Sequence, residues 1–125
     1  MGLQTWLTIH SVIGFILGAV LILSPKNFGK QMGMKFEGPT LVLARSIGGT
    51  ILAIALINWV ARSYTDSPLV WAVVGGNIIL HLVDGIVDVK ATLEKVYTKT
   101  SAGWGSVVFH FILVFVFSYF LLFTR

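Results

Sequence analysis

The chain has 125 residues, of which 56% are hydrophobic and 11% charged, with a formal net charge of +4 and no cysteine. Soluble domains carry about a quarter of their residues as charge, so a mean hydropathy of +0.89 excludes that class and predicts an integral membrane protein. This length leaves no room for a separate soluble catalytic module, and the lack of cysteine excludes disulfide exchange, iron–sulfur clusters and thiolate metal sites. The basic residues sit in short interhelical loops rather than on a soluble face, which argues for loop retention in the cytoplasm and against nucleic acid as a partner.

Four hydrophobic segments follow in order. The first, about 6–23, lacks the basic start and small-residue cleavage site of a signal peptide and reads as a retained helix. His10, Gly14 and Gly18 share one of its faces, and Gly14 to Gly18 is a small-xxx-small pair that lets another backbone approach. Ser24 and Pro25 then give a cap and first-turn signal. They open a stretch in which Lys26, Lys30 and Lys35 alternate with Phe28, Met32, Met34 and Phe36, a composition suited to a headgroup-level loop or helical turn.

The second segment, about 41–61, carries one charge, Arg45, followed by Gly48 and Gly49 where a neighbour can pack closely. The link Arg62 to Ser67 is short, so the second and third segments are expected to be antiparallel neighbours. The third, about 68–89, is expected to continue past the membrane as an amphipathic extension with Val89, Leu93, Val96 and Tyr97 on one face. Ser101 to Gly105 (SAGWG) is expected to break the helix before the fourth segment, about 106–123, which is crowded with phenylalanine and polar at His110, Ser118 and Tyr119. The fold class is therefore all-α, an integral membrane four-helix bundle with short loops and one domain over residues 1–125.

Orientation follows from the basic loop residues. Lys26, Lys30, Lys35, Lys90, Lys95 and Lys99 lie on one side, six against Arg62 and Arg125 on the other, which places both termini outside the cytoplasm, with a bacterial inner membrane as the expected location. Trp6, Trp59, Trp71 and Tyr119 then form an outer aromatic belt, with Trp104 and Tyr97 at the inner interface.

The chemistry concentrates in the third segment. Asn77, His81, Asp84 and Asp88, spaced by 4, 3 and 4, form one stripe on a helix. Ionisable groups cost about 2.5 to 3.5 kcal/mol each at the centre of a spanning helix, so the stripe should turn from lipid toward a partner helix or cavity. At about 1.5 Å per residue, Arg45, Asp84, His110 and His81 lie about 6, 7, 8 and 12 Å from the cytoplasmic edge. The first expectation is a register-fixing ion pair between Arg45 and Asp84 or Asp88, with His81 and His110 as neutral imidazoles bonded to a carbonyl, Ser106 or Asp84. A proton relay from Asp88 through Asp84 and His81 to Asn77 stops beyond Asn77 at Val74 and Val73. A sharper reading makes His81 and His110 ligands of haem b or a chlorophyll, with Arg45 beside a propionate and glycines making room.

No nucleophile elbow, metalloprotease motif or phosphate loop is present, so no catalytic set is assigned. Small multidrug exporters have similar size, but the essential acid of their first helix has no counterpart here.

Ile9 to Pro25, Leu43 to Arg62 and Gly103 to Leu122, with His10, Pro25, Arg45, Gly48, Trp104 and His110 as the marking positions, resemble small bacterial four-helix membrane proteins of the DoxX-like families. That resemblance implies a four-helix membrane fold. His81 to Asp88 (HLVDGIVD) is similar to the histidine–glycine pattern in haem-binding anchors of succinate dehydrogenases, although the second histidine is absent and Val87 stands near its place.

Three functions are expected from these features. The first is a non-catalytic subunit packing by its glycine and aromatic faces into a larger energy-transducing or transport complex, or into a homo-oligomer, with membrane lipid and other membrane subunits as partners. The second is a haem- or chlorophyll-binding electron-transfer or light-harvesting subunit. The third is a small transporter or a lipid- or quinone-binding protein using Arg45, Asp84 and Asp88.

Overall fold

The computed structural model describes residues 2–64 and 67–123. They form five helices and no strand: α1 (Leu3–Leu23), α2 (Pro25–Met32), α3 (Pro39–Ala61), α4 (Pro68–Leu93) and α5 (Thr100–Phe123). All but α2 are long and apolar enough to cross a membrane. Thr65 and Asp66 of the 62–67 link, and Arg125, which the orientation argument counts with Arg62, lie outside the described residues.

The chain divides into two compact units, one holding α1 and α3 with nearly all of α2, the other holding Met32–Met34 with α4 and α5. In the first unit α1 and α3 run antiparallel, and glycines set their separation. A Cβ built on Gly18 would lie 2.8 Å from the Gly48 carbonyl oxygen, and one on Gly48 would lie 2.9 Å from the Gly18 oxygen. One helical turn away a Cβ on Gly14 would meet the Ala55 Cβ at 2.9 Å. A fit this close is the kind by which helices associate in lipid, where tails are as apolar as leucine and exclusion from water contributes little. Gly49, one residue on, faces open space.

Two buried polar side chains on this pair bond back to their own helix. Ser11 donates to the Leu7 carbonyl at 2.7 Å and Asn58 to the Ile54 carbonyl at 2.9 Å. At the far end Phe15 meets Trp59 edge-on at 6.3 Å, and the Arg62 guanidinium lies 3.7 Å from the Trp59 ring centre. Such a cation on an aromatic face holds the side chain of Arg62 beside Trp59.

In the second unit α4 starts at a Ser67 cap, whose hydroxyl accepts from the Val70 N–H at 3.3 Å, with Pro68 in the first turn. The amphipathic extension expected as far as Tyr97 is not helical to that point. Helix α4 ends at Leu93, and Lys95 takes a left-handed backbone (φ 58°) while the Val96 N–H bonds back to the Ala91 carbonyl at 2.9 Å. This turn closes the last carbonyls of the helix and reverses the chain. The loop is pinned by Thr98, whose N–H and hydroxyl both donate to the Gly33 carbonyl at 3.1 and 2.7 Å. Gly33 itself has φ +73° and ends α2 in a conformation that suits glycine.

The SAGWG stretch does not break the helix: α5 begins at Thr100 and runs straight through it. Packing outweighs glycine's weak helix propensity here. A Cβ at Gly103 would stand 2.5 Å from Thr92 Oγ1 and 2.9 Å from the Tyr97 ring, so the missing side chain is what lets the start of α5 close on the end of α4. Farther along, Val107, Leu113, Phe117 and Phe120 are buried, while Phe115 and Phe123 are each 73% exposed on the outer face.

Candidate functional site

The stripe on α4 faces α5. Asn77, His81 and Asp88 are buried and Asp84 is half-buried, because their 4, 3, 4 spacing puts all four on the side of α4 that meets its antiparallel partner. From α5 His110 enters opposite His81, and the two Nδ1 atoms lie 2.9 Å apart. At that distance one ring donates its Nδ1–H and the other accepts with a lone pair. The His81 ring lies parallel to Phe117 (5° between planes, centroids 6.3 Å) and edge-on to Phe109 at 6.4 Å, so aromatic packing fixes its plane.

Two turns along α4 from His81, Asp88 collects three groups. Tyr97 donates its hydroxyl to Oδ1 at 2.6 Å and Ser106 donates to Oδ2 at 2.5 Å, while Nε2 of His110 lies 3.7 Å from the same Oδ2. A neutral assignment that fits these contacts gives His110 an Nε2–H directed at Asp88 and leaves its Nδ1 to accept from His81. The result is a chain of polar contacts from the α4–α5 turn into the helix pair: Tyr97 and Ser106, Asp88, His110, His81. One ligand atom each from His81, Asp84 and His110 lies within 4.8 Å of the other two.

The residues singled out in the sequence are distributed between the two units. His81, His110, Asn77, Asp84 and Asp88 all lie on the second helix pair. Arg45 lies on the first, exposed on α3, and His10 is buried in α1. Gly14, Gly18 and Gly48 stand at the α1–α3 contact, whereas a Cβ on Gly49, Gly75 or Gly76 would meet nothing within 4 Å. The partners of Asp88 were the residues not foreseen. Tyr97 follows Asp88 by nine residues, and only the left-handed turn at Lys95 brings it back, which no helical periodicity encodes. Ser106 carried a usable signal, a hydroxyl at the same depth as the histidines, but pointed equally to other partners.

A haem held between His81 and His110 does not fit this arrangement. Two trans imidazole nitrogens on one metal stand about 4 Å apart, twice a metal–nitrogen bond of about 2.0–2.1 Å. The 2.9 Å separation of the two Nδ1 atoms is direct hydrogen-bond contact and leaves no gap for an iron with a porphyrin around it.

Outside the helices, burial first and the bond to Asp88 second push the Tyr97 hydroxyl well above its ordinary range. The native state therefore keeps this proton at pH values where the unfolded chain has lost it. The stabilising contribution is intact below about pH 10, the ordinary tyrosine value, and is lost progressively as pH rises from there toward the higher native value. Stability measured in detergent should consequently fall more steeply above pH 10 for the wild type than for Tyr97→Phe. Equal slopes would show that Tyr97 is not held protonated by the fold.

A family model described as "Domain of unknown function (DUF8292)" matches residues 8–125. No curated protein and no solved structure matches the chain.

Proposed function

The chain belongs to the DUF8292 family, and we propose that it serves as a non-catalytic helical subunit of a membrane, docking onto the helices of other membrane subunits in a larger energy-transducing or transport assembly. The observation that carries this reading is the outward face of α3. Val42, Ser46, Gly49, Ala53, Leu56 and Val60 recur at helical spacing and are all exposed. Its centre is small and its margins apolar, the composition with which membrane helices approach one another closely. The second pair presents a comparable face on α4, where Gly76, Ile79, Val83 and Ile86 lie opposite the polar stripe. Both faces suit lipid as well as protein, but only a protein partner gives Ser46, Gly49 and Ala53 at the centre of the α3 face a packing role.

In this reading the whole chain is one membrane domain, its lysine-bearing connections face the cytoplasm and both termini lie on the other side, in keeping with the distribution of basic residues. The test is native electrophoresis of membranes from the source organism, solubilised in mild detergent. The protein should migrate in a complex several times its own mass, and Gly49→Leu with Ala53→Leu should move it to a lower mass. Migration of the wild type as a lone monodisperse monomer overturns the proposal.

A second reading, a small transporter, draws on Asp84, an acidic side chain left half-buried beside His81 and His110. Membrane-embedded carboxylates of this kind mark ion and substrate paths. Loss of transport on Asp84→Asn with the helix pair intact would favour it over docking.

A further inference from the structure

We propose that His81, Asp84 and His110 form a binding site for a divalent first-row transition metal of the zinc, cobalt or iron(II) kind, with Asp88 holding His110 in position from behind. The donor set is the first ground. Two imidazoles and one carboxylate are a nitrogen-rich combination that suits these ions. Magnesium and calcium call for oxygen ligands and are selected against.

The second ground is spacing. On a tetrahedral ion with metal–nitrogen bonds of about 2.0–2.1 Å, two ligand nitrogens stand about 3.3 Å apart. The Nδ1 atoms of His81 and His110 are 2.9 Å apart, so rotating the two rings apart by a few tenths of an ångström admits an ion where a proton now joins them. A carboxylate oxygen of Asp84 is already within 4.8 Å of a ring nitrogen of each histidine, and Asp84 sits on the same helix as His81, three residues on, which keeps both ligands on one face.

The third ground is the support around the ligands. Metal-bound histidines almost always direct their other ring nitrogen at a carboxylate or carbonyl, which fixes the tautomer and raises ligand basicity. Nε2 of His110 lies 3.7 Å from Asp88 Oδ2, and Asp88 is itself anchored by Tyr97 and Ser106. Phe117 and Phe109 fix the plane of His81. A merely structural hydrogen-bonded histidine pair needs no such backing, nor a carboxylate left close to both rings. Three protein ligands also leave coordination positions open, as in sites that take water or a substrate rather than sites that only brace a fold.

The experiment is a titration of the full chain, purified in mild detergent without a histidine tag and stripped with chelator, using Co2+ as the probe and visible absorption as the readout. The wild type should develop ligand-field bands that saturate at one Co2+ per chain, are abolished by Zn2+ and are unaffected by Mg2+. His10→Gln should leave the titration unchanged. Asp84→Asn should weaken Co2+ binding at least tenfold, and Asp88→Asn by about ten- to a hundredfold, the usual effect of removing an outer partner. Elution position and helical circular dichroism establish that each variant remains folded. Should Asp88→Asn fail that check, Asp84→Asn still decides the matter, because its side chain is half-buried and carries none of the bonds that join the pair. Absence of ligand-field bands in the wild type, or undiminished Co2+ binding in folded Asp84→Asn, overturns the proposal.

Discussion

Replacing Gly18 with valine should part α1 from α3 and cost the first helix pair about 3 kcal/mol, the upper part of the range for overpacking. The estimate rests on what the new side chain would strike. Already at Cβ it would stand 2.8 Å from the Gly48 carbonyl oxygen and 2.8 Å from Leu52. A leucine tip can turn aside, but a helix carbonyl cannot move without shifting its backbone. In a lipid or detergent environment, as apolar as a side chain, burying more apolar surface would not recover the loss. Gly49→Ala is the matched control. It adds a methyl where nothing lies within 4 Å, so it should be neutral or stabilising by about 0.5–1 kcal/mol through helix propensity. Titration with SDS in mixed micelles gives the stability difference. The absence of cysteine allows spin labels at Val12→Cys and Leu56→Cys alone to report the interhelical distance. An unchanged distance and midpoint for Gly18→Val would mean that the glycine contact does not set the separation.

Asp88→Ala should be the most damaging single substitution in the second pair, at about 2–4 kcal/mol, because it strands the hydroxyls of Tyr97 and Ser106 and removes the group facing His110. A buried donor left without its acceptor costs about 1–3 kcal/mol. Relief from burying the carboxylate offsets part of that sum, which keeps the estimate below the simple total. A double-mutant cycle separates the contributions. Tyr97→Phe alone should cost about 1–2 kcal/mol, yet add almost nothing on top of Asp88→Ala, since the bond it removes is already gone. Strict additivity of the two would show that the Tyr97–Asp88 bond carries no energy of its own.

Much of this architecture is written in local patterns. Helix boundaries at Leu23 and Ala61 fall where hydrophobic runs give way to Ser24 and Arg62. The 4, 3, 4 spacing of Asn77, His81, Asp84 and Asp88 predicts a single face, and that face is the one buried against α5. Two local signals misled. SAGWG reads as a helix breaker because glycine weakens an isolated helix, but Gly103 is needed where α5 presses on Thr92 and Tyr97. The periodic residues beyond Val89 read as a continuing helix, but the turn at Lys95 ends it, and the competing gain is the tie between Thr98 and Gly33, sixty-five residues apart in sequence.

The sequence by itself determined that the chain is helical, that four of its segments are apolar enough to cross a membrane, and that one of them carries a polar face. Those properties follow from composition and from a period of about 3.6 residues, and each is decided within a single segment. Only the tertiary structure decided which groups meet across that face. The 2.9 Å contact between His81 and His110 and the capture of Asp88 by Tyr97 and Ser106 depend on the register of two antiparallel helices. That register is set by how closely Gly85 and Gly103 let the helices approach and by a left-handed turn at Lys95. Hydrophobic periodicity leaves it open, because sliding one apolar helix along another by a turn preserves the pattern and changes every polar contact.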